Sequence, residues 1–75
     1  MNNKYKTFII RCNNERTVFQ VASQKVMIGI AKEMAEHKKS NVHLSTMDGV
    51  IGVVVPAHIS EKGKFVQTRF FKLGE

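Results

Sequence analysis

Only one stretch of this chain carries the 3.6-residue periodicity of an amphipathic helix. Between Gln24 and Lys39, the residues Val26, Met27, Ile30, Ala31 and Met34 fall on one stripe, while Lys25, Gly29, Lys32 and Glu36 fall on the opposite side. Ser23 stands where an N-cap belongs, since its hydroxyl can satisfy an orphan amide of the first turn. His37, Lys38 and Lys39 place positive charge in the last turn, where the helix dipole favours it, and Asn41 is the expected stop. A lone helix with a single apolar stripe needs a sheet to lie on.

The rest of the chain supplies that sheet. Lys4 to Cys12 and Thr17 to Val21 alternate, and both are rich in β-branched and aromatic residues. A two-residue turn at Asn13-Asn14 sets Phe8 opposite Phe19 and Lys6 opposite Val21. A three-residue loop would oppose Phe8 to Gln20 and mix the faces, which a half-buried sheet resists. Val42 to Met47 and Val50 to Val55 flank Asp48-Gly49, the strongest hairpin signal present. Pairing across that turn sets Leu44 against Val53, Thr46 against Ile51 and Val42 against Val55. Pro56 limits its strand or marks an edge. A turn at Ser60-Glu61-Lys62-Gly63 then leads into a last strand, Phe65 to Leu73, with Val66, Thr68 and Phe70 turned inward.

The expected fold is therefore α+β. It is a single domain over residues 1–75 in ββαβββ order, an antiparallel sheet with one helix on one face, and residues 1–3 flexible. Seventy-five residues leave no room for a dinucleotide-binding fold or a βα barrel. With 43% hydrophobic and 24% charged residues, the chain is too apolar to be disordered. One cysteine cannot form an internal disulfide and suits a reducing compartment. The longest apolar run, Val50 to Ala57, is well short of the ~18 residues that span a bilayer. The N-terminus lacks an apolar signal core. These features point to a soluble, cytoplasmic protein.

Chemistry-bearing motifs are few. Cys12 lies in the first hairpin with nothing nearby in sequence to activate it and is expected to be a half-buried hydrophobe. His37, His43 and His58 share no element, so no metal site is expected. No glycine-rich phosphate loop precedes the helix. Ser45, His43 and Asp48 make a trio that any short chain offers. No catalytic residue, cofactor or metal is assigned, and an enzyme is the least favoured class. Lys62-Gly63-Lys64-Phe65-Val66 resembles the basic-Gly-aromatic opening of the sheet motif in RNA-recognition domains. It lacks the motif's second small residue, and the chain lacks that fold's second helix, so the segment is read as a turn.

Charge and the second face of the sheet carry the functional expectation. Twelve Lys and Arg against six Asp and Glu give a net charge of +6, which attracts polyanions. One short helix covers one side of a sheet, so the other side meets water or a partner. The pairings above place there Tyr5, Arg11, Arg16, His43, Val54, His58, Phe65, Arg69 and Phe71, without an acid among them. Rings could stack on bases while basic groups neutralise phosphate. The leading expectation is a basic, non-enzymatic protein that binds nucleic acid (DNA or RNA) through this face. Lys25, Lys32, Lys38 and Lys39 form a weaker candidate surface on the helix. The alternative is a protein-interaction module, either a homodimeric regulator or an inhibitor of a larger complex, using the same sheet face. No membrane partner is expected. Gly29, costly inside a helix, has no evident role in the sequence.

Overall fold

The computed structural model describes residues 4–73, so the expectation for residues 1–3 lies outside the described residues. The elements are β1 (Lys6–Cys12), β2 (Glu15–Val21), α1 (Gln24–Lys38), β3 (Val42–Thr46), β4 (Gly49–Val55), β5 (His58–Ile59), β6 (Phe65–Val66) and β7 (Arg69–Lys72). Five strands form one antiparallel sheet in the order β2-β1-β3-β4-β7, and β5 pairs with β6 separately. This is the α+β arrangement expected, with α1 against one face of the sheet. No helix among the described residues is long and apolar enough to cross a membrane.

The first hairpin closes over Asn13 and Asn14, both in the left-handed region with φ of 51° and 70°. Positive φ at both central residues is the twist-matched turn of a two-residue hairpin. It fixes the register Phe8 opposite Phe19 and Lys6 opposite Val21. Phe8, Ile10, Cys12 and Val21 thereby share the face under the helix. Cys12 is not half-buried, as expected, but lies in the core at 3% exposure, because β1 is an interior strand flanked by β2 and β3.

Helix α1 begins at Ser23, whose Oγ accepts from the Val26 N–H at 3.3 Å. It ends earlier than Asn41: Lys39 takes the left-handed C-cap conformation (φ 53°), and its N–H donates to the Ala35 carbonyl. The buried stripe is Met27, Ala31 and Ala35, with Ile28, Ile30 and Met34 packed at its margins. Val26, expected inside, is 48% exposed. The two alanines explain the difference. Side chains this short let the helix axis approach the sheet, so the contact centres on them and Val26 rotates out. Beneath lie Phe8, Ile10, Val42, Leu44 and Val54, and full burial of each large side chain stabilises the fold by roughly 1.5–3 kcal/mol.

The second hairpin departs from expectation. The chain reverses over Met47-Asp48, closed by the pair Thr46–Gly49, and the Asp48 N–H donates to Thr46 Oγ1 at 3.1 Å. Only Gly49 takes positive φ (134°), whereas the turn expected at Asp48-Gly49 would need it at Asp48 as well. A β-bulge then places an extra residue, Ile51, in β4. Beyond it Leu44 opposes Gly52 and Val42 opposes Val54, one residue off the expected pairing. That single step flips the face. Val54, expected on the open side, is fully buried beneath the helix, while Val53 and Val55 turn outward.

Gly52 shows why the shift is favoured. A Cβ built there would sit 2.5 Å from the Phe70 ring and 2.5 Å from the Phe71 carbonyl oxygen. The Phe70 ring lies across the glycine and packs against the core. Gly52→Ala is therefore expected to cost 1–3 kcal/mol or more, measured by urea unfolding, because a backbone atom blocks relaxation. Gly29 is the converse case, with open space around its would-be Cβ. Gly29→Ala should raise stability by about 1 kcal/mol in the same assay.

Candidate functional site

The face of the five-stranded sheet opposite α1 has no element over it among the described residues. Its rows can be read from the pairing. Arg16 of β2 opposes Arg11 of β1, Arg11 opposes His43 of β3, His43 opposes Val53 of β4, and Val53 opposes Phe71 of β7. The next row runs Val18, Ile9, Ser45 and Val50. Val55 opposes Arg69 at the far corner, where the Arg69 guanidinium carbon sits 5.3 Å from the centroid of the Phe71 ring. The face thus grades from basic at the β2 side to apolar and aromatic at the β7 side.

Ile9, Arg11, Arg16, His43, Ser45 and Val50 line a depression of about 390 Å³ on this face. Arg11 and His43 also border a second hollow of about 400 Å³, completed by Asn13, Asn14, Ser40 and Asn41 at the end of the sheet. The two basic side chains form the wall between the hollows. One floor is aliphatic, and the other is built of amide and hydroxyl groups.

Electrostatically the row is uncompensated. Like charges directly opposite one another on neighbouring strands are destabilising. Arg11 nonetheless stands directly opposite Arg16. Among the described residues no carboxylate shares the face. Glu15 opposes Cys12 on the helix side and lies 3.7 Å from Lys38, Glu33 and Glu36 are on the helix, Asp48 is in a turn, and Glu61 lies between β5 and β6.

Of the residues expected here, the structure brings together Arg11, Arg16 and His43 around the first depression and Arg69 with Phe71 at the opposite edge. Tyr5 lies one residue ahead of β1 and is 59% exposed. Three others are elsewhere. Val54 is in the core because of the bulge. His58 and Phe65 belong to the β5–β6 ribbon, not to the five-stranded sheet, because pairing breaks after Val55, next to Pro56. Proline has no N–H to give the ladder. Phe65 instead borders a shallow hollow with Glu36, Ala57, Gln67 and Thr68. Of the expected rings, Phe71 stands on the sheet face beside its arginine, Tyr5 is exposed just ahead of β1, and Phe65 lies on the ribbon.

Ser45 and Val50 line the depression and were not foreseen. Alternation from His43 along β3 points to Ser45, whereas Val50 depends on the reversal over Met47-Asp48, which differs from the turn expected at Asp48-Gly49. On the helix, Lys25 and Lys32 border a notch with Gln24, Ile28 and Gly29, whereas Lys38 is engaged with Glu15 and Lys39 caps the helix.

Compared with protein-family models, with curated proteins and with solved structures, the chain matches none. Arg16→Thr should raise stability by a few tenths of a kcal/mol, since it removes a like-charge pair and adds a β-branched residue. The gain should shrink as salt screens the repulsion. Denaturation at low and high ionic strength checks both. A clear loss of stability at low salt would mean that the Arg11–Arg16 pair is structurally favourable.

Proposed function

We propose that this chain is a small, non-enzymatic nucleic-acid-binding protein, acting in the cytoplasm, that holds a phosphate backbone on its uncovered sheet face. The observation that carries this is the row Arg16–Arg11–His43 on a face that, among the described residues, holds no carboxylate. The like-charge pair Arg11–Arg16 costs stability in the free protein, and an arriving polyanion removes that cost while releasing its own counterions. The guanidinium groups suit phosphate geometry, because each presents a planar fork of donors. Phe71, under the Arg69 guanidinium, offers one ring for stacking at the opposite side. The net charge of +6 adds long-range attraction.

A second reading has its own observation. Val18, Val50 and Phe71 are exposed by 57%, 52% and 45%, so the same face offers apolar area to a protein partner, whether a second copy or a larger complex to be inhibited. Salt separates the two. Phosphate-driven affinity falls as a power of salt concentration, and each neutralised phosphate contributes about 0.7–0.9 to the slope.

Binding of mixed-sequence oligonucleotides, followed by fluorescence anisotropy from low to physiological salt, should weaken steeply for the wild-type chain. Arg11→Ala with Arg16→Ala should reduce the log–log slope by about 1.4–1.8. An unchanged slope would move the contact off this face. No binding at low salt, together with a dimer in sedimentation, would favour the protein partner.

A further inference from the structure

The β5–β6 ribbon is the part of the fold that the sheet face does not explain. Among the described elements, the backbones of β5 and β6 lie close only to each other, with Phe65 bordering a hollow shared with Glu36 of α1, and the molecule measures 52 × 26 × 18 Å. A two-stranded hairpin alone is marginally stable in water. This one nevertheless has an ordered tip. The Ser60 N–H donates to the Lys64 carbonyl at 2.8 Å, the Gly63 N–H donates to the Ser60 carbonyl at 2.9 Å, and the Lys64 N–H donates to Ser60 Oγ at 3.2 Å. Its register continues that of β4 with β7 across the break. Directly opposite one another on it stand Ile59 and Phe65, exposed by 64% and 65%.

We infer that this ribbon is a DNA-reading arm, which enters the major groove of a B-form duplex whose backbone is held on the sheet face. The inference rests on the nucleic-acid reading of that face. Strands about 4.8 Å apart make a ribbon that a major groove about 12 Å wide admits, whereas the deep, narrow major groove of duplex RNA does not. Lys62 and Lys64 flank the tip glycine and are exposed. An apolar protein cleft deep enough to bury Ile59 and Phe65 would bring those ammonium groups to an apolar rim, while a groove walled by phosphates neutralises them. The apolar pair has a specific ligand there, the C5-methyl groups of thymine, which are the apolar features the major groove displays.

The test uses three probes of one A·T-rich sequence: the duplex, the same duplex with deoxyuridine in place of thymidine, and the single strand. Wild-type chain should bind the thymidine duplex about fourfold more tightly than the deoxyuridine duplex for each methyl contacted. The pair Ile59→Ala with Phe65→Ala should bring that ratio to one and leave single-strand affinity within twofold. Because both side chains lie outside the core, the variant should keep the wild-type unfolding transition. Lys62→Glu with Lys64→Glu should weaken duplex binding about tenfold.

A wild-type ratio of one, with salt-dependent binding retained, overturns the arm and leaves the sheet face standing. So does a ratio that the alanine pair fails to change. Wild-type chain that binds none of the probes at low salt removes both proposals. Self-association that the alanine pair abolishes assigns the ribbon to a protein contact and overturns the arm.

Discussion

The structure depends on how closely one helix can approach one face of the sheet. Met27, Ala31 and Ala35 meet Phe8, Ile10, Val42, Leu44 and Val54 in a core that, among the described residues, holds no buried polar or charged residue. The alanines set the separation, and methionine fills what irregular space is left. With 15 residues, α1 is sufficient to touch all five strands of the large sheet and is sited wholly on one side of it. The same economy leaves the second side bare. A face without a covering layer has to be made tolerable in water, and here that is achieved with arginines, a histidine and a serine between short aliphatic groups.

How far this was legible in the sequence depends on where the deciding interaction lies. The first hairpin was legible to the residue, because Asn13 and Asn14 both tolerate the left-handed conformation and the apolar alternation admits one register. The helix was legible for the same local reasons, apart from its last turn. Lys39, a residue with no preference for positive φ, stops it. The second hairpin was not legible. Asp48-Gly49 is compatible with two reversals, and the one adopted places positive φ on glycine alone. The bulge at Ile51 is then tied to a contact eighteen residues away in the chain, Phe70 over Gly52, which no local pattern displays.

That one bulge redistributes the candidate site. Residues before it, on β1 and β2, and His43 on β3 stand where alternation placed them, so the basic half of the face was foreseeable. Beyond it β4 exchanges its faces, so Val54 passes to the core and Val53 and Val55 take its place beside Phe71 and Arg69, which stand where expected. The site is a composite of a locally encoded cationic half and an apolar half whose identity was settled by tertiary packing.

Because Pro56 interrupts the ladder while the alignment on either side is preserved, the ribbon is a modular appendage spliced between β4 and β7. Residues could be gained or lost there in matched pairs without altering how β7 docks on β4 or what lies beneath the helix. Such a scaffold uncouples the evolution of reach from the evolution of foldability: related chains could differ in the length and chemistry of this projection and still share every buried contact.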